Sequence, residues 1–446
     1  MSVRANSIAT KTEFVGARTA PTRGHHSNGQ SGTIILLAGL MLLISTTPAY
    51  AEEKDANFFQ QINLNGSLRA GYFGASRKLD GKEDLGTGSL WLKSSSNLGD
   101  NASFMAEGWL RNDETFRGKN QTSLREGYFN ITAGEADFRI GKQIIVWGRA
   151  DGLNPTDNLT PKDYTLLTPE SDDQRRGAMA AKMTYHFQDI AVTAILLPEF
   201  KPNIIPMPTT TGVYFSEQVQ KVNQAAIKLD QSGGTVDSSI SYFDGLDLNP
   251  DFNIGAIGPA GLNLILQHNR IRVLGMDAAT VLGQYGLRAE AAYTWTANVN
   301  DDPLVKKPFL YAVMGGDRTF ANSLNINIQY FFRQIHNFRD PQNIANPLIR
   351  SIALQAAIFS NQLDPFQHGF SMRLSNKWLN ETLEGEIVSV YSLTRNDYAL
   401  RPKLIYAYND QMKGTLGMDI YRGSDTSFYG RLRDMSSVYA EIKYSF

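Results

Sequence analysis

At the end of the chain Val438, Ala440, Ile442, Tyr444 and Phe446 alternate with Tyr439, Glu441, Lys443 and Ser445. A period of two puts every second side chain on one side of a sheet, so this segment reads as a strand with one apolar and one wet face. The pattern recurs upstream. Ile62, Leu64, Leu68, Ala70 and Tyr72 alternate with Asn63, Asn65, Ser67, Arg69 and Gly71, and Phe104, Ala106, Gly108 and Leu110 with Met105, Glu107, Trp109 and Arg111. Leu287, Ala289, Ala291, Tyr293 and Trp295 stand against Arg288, Glu290, Ala292 and Thr294; Leu324, Ile326, Ile328, Tyr330 and Phe332 stand against Asn325, Asn327, Gln329 and Arg333.

The alternation predicts strands near 62–73, 87–96, 102–112, 123–132, 136–143, 178–187, 189–197, 222–231, 235–243, 269–281, 284–296, 308–317, 323–333, 367–378, 382–393, 398–407, 411–421 and 436–446. That is about 18 strands (range about 16–18), each near the length that crosses a bilayer when tilted. Tight turns at Gly99-Asp100, Ala133-Gly134-Glu135, Asp189, Gly233-Gly234, Gly283, Asn380-Glu381 and Asn409-Asp410 alternate with longer loops such as those around 74–86 and 113–121. The expected fold class is all-β: a transmembrane antiparallel β-barrel, short turns and both termini at its periplasmic end. The 352–359 segment inside 334–366 reads either as a short helix or as a slipped extra strand.

The other end supplies an address. The apolar run Thr33–Ser45, preceded by Arg4, Lys11, Arg18 and Arg23 and followed by Ala49-Tyr50-Ala51, has the three parts of a secretory signal cleaved after Ala51. This makes 1–51 a cleavable signal peptide and 52–446 a single barrel domain. Only about ten residues would then precede the first strand, too few for an N-terminal plug domain. The 446 residues include no cysteine, which excludes thiol nucleophiles, cysteine-ligated zinc and iron–sulfur clusters. A formal net charge of −1 argues against nucleic acid as a partner.

The closing strand, ending on Phe446, resembles the last strand of Gram-negative outer-membrane β-barrels. The long loop at 144–177, reading Val146-Trp-Gly-Arg-Ala-Asp-Gly-Leu-Asn-Pro and ending in Asp172-Asp173-Gln-Arg175-Arg176-Gly177, is similar to segments of large barrels grouped as porin-like and alginate-export-like channels. The Arg125-Glu126-Gly127-Tyr128 and Gly141-Lys142-Gln143 steps before it share that likeness. It implies membership in a barrel group more than any one substrate. Localisation in the cell outer membrane follows as an expectation, as do outer-membrane lipid, lipopolysaccharide, the barrel-assembly machinery and small solutes as partners. Monomer and homo-oligomer both stay open.

Pro155, Pro161 and several Asx-turn residues make the 144–177 loop compact, which suits a loop folded into the lumen as a constriction. Its candidate constriction residues are Arg149, Asp151, Asp157, Asp163, Asp172, Asp173, Arg175 and Arg176. The alternation gives a mixed lumen wall. Its basic candidates are Arg69, Arg111, Arg139, Lys182, Arg270, Arg272, Arg288, Arg333, Arg373, Arg401 and Lys403; its acidic ones are Glu107, Glu126, Asp237, Glu290, Glu384, Glu386 and Asp419. Opposed charges across a pore select solutes, and the slight basic excess leans toward anions. Tyr72, Tyr128, Tyr293, Trp295, Phe332, Tyr406 and Tyr444 are candidates for interfacial girdles.

No catalytic motif or metal site is legible. The chain lacks a Gly-x-Ser-x-Gly elbow and a His-Glu-x-x-His pair, so no enzyme activity and no cofactor are expected. The reading is a porin-like channel for passive or facilitated diffusion of small solutes through a charged, loop-constricted lumen. Two alternatives stand beside it: a barrel scaffold for polymer export or for sheathing a periplasmic electron carrier, and a non-conducting surface or adhesion barrel.

Overall fold

The computed structural model describes residues 63–79, 82–113, 120–207, 211–259, 261–297 and 301–446. The expected signal peptide, Ile62 and the expected lack of a plug before the first strand fall on residues outside those described.

Eighteen strands form one closed antiparallel sheet. They begin with β1 (Asn65–Leu79), β2 (Lys82–Asn97), β3 (Ala102–Asp113), β4 (Asn120–Ala133), β5 (Ala136–Gln143), β6 (Ala178–Phe187) and β7 (Ile190–Leu197). After β8 (Val213–Gln218), which stands apart, the wall continues through β9 (Gln224–Gln231) and β10 (Val236–Leu246). β11 (Asp251–Gly258) and β12 (Gly261–Gln267) again stand apart. The wall then runs through β13 (Arg270–Leu282), β14 (Tyr285–Trp295), β15 (Phe309–Thr319), β16 (Asn325–Ile335) and β17 (Phe366–Trp378). It ends with β18 (Leu383–Ser392), β19 (Asp397–Ala407), β20 (Met412–Arg422) and β21 (Ser437–Ser445). Each barrel strand pairs with its neighbours in chain order, and β21 closes onto β1 from Ser445 opposite Ser67 to Ser437 opposite Ala75. The closure leaves no sheet edge, as a wall in lipid requires.

The alternation assigns the two faces. Leu110, Ile140, Leu196, Ile227, Met276, Ile328, Leu416 and Ile442 are exposed on the outer surface, Leu416 at 60%. A continuous band of exposed apolar side chains is unfavourable in water and is what a lipid-facing wall presents. Of the girdle candidates, Tyr72, Tyr293, Trp295, Phe332, Tyr406 and Tyr444 lie on that outer face. Tyr128 does not: it turns inward, and the Arg139 guanidinium sits 4.3 Å over its ring.

Short connections at 98–101, 134–135, 188–189, 232–235, 283–284, 320–324, 379–382 and 408–411 gather at one end, with the start of β1 and the end of β21. At Gly134 (φ +59°) and Gly283 (φ +63°) the chain reverses through left-handed backbone that a side chain would disfavour. The opposite end holds the long loops. The expected loop around 74–86 is instead the paired arms of β1 and β2, which reach to Leu79 and Lys82. The 352–359 segment is helical, within α1 (Pro347–Phe359). Asn346 caps it, accepting from the Leu348 and Ile349 amides at 3.0 and 3.2 Å, and Pro347 opens the first turn. Its Ile352, Ala353 and Ala356 pack with Phe252, Leu264, Leu266 and Leu304. α1 and the small sheet β11–β12–β8 thus form a lobe over the long-loop end.

Candidate pore constriction

The 144–177 segment connects β5 to β6 and lies inside the barrel. Its Ile145, Trp147 and Leu159 join the inward side chains Ala178, Ala180, Ile195, Leu197, Ala226, Phe243, Ile271, Val273 and Ala292 in one buried apolar cluster. One arc of the inner wall, β6 to β14, is therefore dry, and the loop is held there by removal of apolar surface from water.

Polar anchors sit at the base of that arc. The Glu290 carboxylate on β14 accepts from the amides of Arg149 (3.0 Å), Ala150 (3.1 Å) and Thr156 (2.8 Å) and from the Thr156 hydroxyl (2.7 Å). Hydrogen bonds to a charged acceptor contribute about 1.5–3 kcal/mol each. Gly148 makes the approach achievable. Its φ is +96°, and a Cβ there would stand 2.5 Å from a Glu290 oxygen. Arg149 meanwhile reaches three carboxylates on consecutive wall strands, Asp277 at 2.6 Å and Asp230 and Asp237 at 3.6 Å each.

Across the lumen the contacts become polar and ionic. Asp151 accepts from the Asn327 side-chain Nδ2 at 3.0 Å and faces Arg373 at 3.7 Å. Glu170 meets Lys403 on β19 at 3.2 Å, Asp173 meets Arg69 on β1 at 2.6 Å, and Arg111 on β3 donates to the Leu167 carbonyl at 2.8 Å. Arg125, displaced by a bulge in β4, pairs with Glu107 at 2.6 Å and donates to the carbonyls of Asp172 and Arg175. Glu126 accepts from the Ile144 amide at 2.7 Å. The loop is thus tied to nearly the whole circumference.

The remaining constriction candidates hold the loop together. Arg175 bridges Asp157 at 2.8 Å and Asp172 at 3.3 Å, and Lys162 stands 3.5 Å from Asp157. Asp163 accepts from the Thr165 amide at 3.0 Å, and the Arg176 amide donates to Pro161 at 2.8 Å. The Asp172 side chain is 87% exposed, the Asp173 side chain only 12%.

Among the wall candidates, Arg69, Glu107, Arg111, Glu126, Arg139, Arg288, Glu290, Arg333, Arg373 and Arg401 are inward. Arg288 pairs with Asp317 at 2.8 Å, Arg373 and Lys403 share Glu386, and Arg401 pairs with Asp419 at 2.5 Å. Arg139 donates to Asn130 at 2.7 Å, and Arg333 donates to the carbonyls of Ser360 and Asn361. Arg272 and Arg270 correct the expectation. They point outward at the long-loop rim, 63% and 52% exposed, each beside Asp244. The alternation of β13 is inverted relative to the simple rule because its inward Ile271 and Val273 meet the apolar side of the loop.

The same inversion hid Asp277, which a consistent register would have placed on the lumen face. Lys413 and Lys443 were also missed. They stand directly opposite each other on β20 and β21, and Lys443 is opposite Arg69 on β1, which makes a row of three cations on the inner wall. Reading Lys443 with Tyr439 and Glu441 on the wet face of the last strand was the available signal. Among the described residues no group of three or more histidines and carboxylates is arranged to hold a metal ion.

A closed eighteen-stranded barrel, apolar outside and crossed inside by a wall-anchored loop, defines the class as a porin-type transmembrane β-barrel. No family model matches the sequence, and no curated protein matches it. Solved structures do. The crystal structure of Pseudomonas aeruginosa OccK5 (OpdH) matches with a TM-score of 0.53 at 10% identity, over 86% of this chain and 97% of that one. The outer membrane protein OpdK of Pseudomonas aeruginosa gives 0.53 at 10% identity, over 86% and 98%, and its structure with vanillate gives 0.52 at 9%, over the same shares. At these identities the likeness is one of fold.

Proposed function

We propose that the chain is an outer-membrane channel through which small solutes diffuse down their gradients, with a preference for anions. The observation that carries this reading is the loop crossing the lumen, packed dry against β6–β14 and tied by charges to the opposite arc. Barrels of about 16–18 strands are wide enough for an aqueous channel, so a loop held in this way narrows the lumen against one wall and directs solutes along the other. The cation row of Lys413, Lys443 and Arg69 lines that other arc, where only Arg69 has an ion-pair partner, Asp173, among the described residues; beside the loop Asp230, Asp237 and Asp277 outnumber their two cations, Arg149 and Lys228. Such separation of sign sets up a transverse field across the path. The outward apolar band and the fold shared with the outer membrane protein OpdK of Pseudomonas aeruginosa support location in a Gram-negative outer membrane.

Single-channel recording of the purified protein in planar bilayers tests the proposal. Discrete conductance steps are expected, with a reversal potential in asymmetric potassium chloride displaced toward the chloride equilibrium potential. A folded barrel that passes no current would favour a scaffold or adhesion role. A displacement toward the potassium potential would retain the channel and remove the anion preference.

A further inference from the structure

We infer that Glu290 is the latch that sets the bore of this channel, a positioning residue that acts on solutes only through the loop it holds. The inference rests on the channel reading above. Glu290 is 2% exposed, and its four hydrogen bonds come from one stretch of the loop, Arg149 to Thr156. Three of those donors are main-chain amides, two of them consecutive and following the left-handed Gly148. Successive amides turned to one side form a concavity that binds an anion. Here the anion is a side chain of the wall.

The arrangement separates Glu290 from the other acidic groups nearby. Arg149 directs its guanidinium to Asp277, Asp230 and Asp237, and Lys228 adds a contact to Asp230 at 2.8 Å. No ion pair to Glu290 is present among the described residues. Its oxygens are occupied by the loop, so it offers little to a passing solute. What it determines is where the loop backbone sits. The apolar cluster at Ile145, Trp147 and Leu159 can slide, since dispersion contacts are not directional, whereas four convergent donors fix one position.

The absence of native cysteine gives a direct test. A Cβ at Gly275 on β13 would stand 3.4 Å from the Thr156 Cβ, next to the spacing of about 3.5–4.5 Å that a disulfide joins. Conductance and solute-size cut-off are measured for the wild type, Glu290→Ala, and Glu290→Ala carrying Thr156→Cys and Gly275→Cys, oxidised and reduced. In parallel, Ala150→Cys as the sole thiol is labelled with a water-soluble maleimide, with and without Glu290→Ala. The latch predicts higher conductance and a larger cut-off in Glu290→Ala, return toward wild-type values when the disulfide forms, loss of that return on reduction, and faster labelling of Ala150→Cys.

Wild-type conductance in a folded Glu290→Ala barrel overturns the inference. So does an oxidised tether that leaves the altered conductance and cut-off in place, because loss of the carboxylate itself, and not the loop's position, would then be acting on solutes. A wild type that passes no current defeats the channel reading instead. The labelling rates then still decide whether Glu290 holds the loop: unchanged rates reject the latch and faster ones retain it as an anchor.

Discussion

Lys443 on β21 stands directly opposite Lys413 on β20, and neither amine forms a salt bridge with a described residue. Arg69 is its opposite number on the other side, committed to Asp173 at 2.6 Å. Like charges directly across a ladder destabilise a sheet by up to about 1 kcal/mol, so this row costs the fold something. Replacing Lys443 by Gln should shift the reversal potential toward cations without lowering the temperature at which the folded band is lost on heat-modifiability gels. A pronounced drop in that temperature would instead make Lys443 a structural residue.

The two neighbouring aspartates at the end of the loop should behave differently. Asp173→Asn frees Arg69 in the lumen and should shift selectivity toward anions, whereas Asp172→Asn alters an open side chain and should have a small effect. Deleting about 154–170 should raise conductance and relax selectivity in an assembled barrel, since loops tolerate deletion better than strands. Equal reversal potentials in the two Asn variants would mean that burial does not decide their influence.

Phe446 takes part in the closing seam. Phe446 exchanges backbone hydrogen bonds with Gly66 at 2.8 and 3.0 Å, and a Cβ on Gly66 would meet the Phe446 ring at 2.4 Å. Removing Tyr444 through Phe446 should abolish the folded band in outer-membrane fractions, and Gly66→Val should reduce it. An undiminished band in the truncation would show that closure is fixed elsewhere in the β1–β21 ladder.

Lys306 tests the lobe at the long-loop end. It is 7% exposed and donates to Asp247 at 3.1 Å, to Asp251 at 3.4 Å and to the Asn249 carbonyl at 2.7 Å. Burial alone would lower the pKa of its ammonium, but the two carboxylates outweigh it and hold the pKa above the ordinary lysine value. A raised folded-state pKa gives stabilisation that is complete below the unfolded value and is lost as pH rises through the folded one. Limited proteolysis should find the 247–269 segment, which carries β11 and β12, protected at neutral pH and cut increasingly above a pH of about 10.4. Lys306→Met should expose it at neutral pH, because removing one partner of a buried ion pair costs about 3–5 kcal/mol.

Much of this was legible in the sequence because lipid outside and water inside impose a period of two on each strand. Leu287 to Trp295 and Val438 to Tyr444 carry that period cleanly, and all the predicted barrel strands correspond to strands of the wall. The rule failed where the lumen is not wet. Ile271 and Val273 face a folded loop rather than water, so apolar residues turn inward and Arg270 and Arg272 go to the rim. β8, β11 and β12 escaped notice because they are stabilised by α1 and by each other, not by the bilayer. The partners of the loop were illegible for a further reason. Glu290 lies 134 to 141 residues beyond the amides it accepts from, and nothing local records that pairing.

That separation has a consequence for the order of events during assembly. If strands join the wall in chain order, the 144–177 segment emerges between β5 and β6 long before β14 brings Glu290 to meet it. Until then the intermediate carries a loop that β1, β3 and β4 can tether through Arg69, Arg111 and Arg125 but that still lacks its seat on Glu290, with the apolar cluster around Trp147 only partly assembled. Contacts so distant in sequence form late and slowly. Seating is then a step of its own: a cylinder that closed through β21 before the loop reached Glu290 would be more permeable than the finished protein.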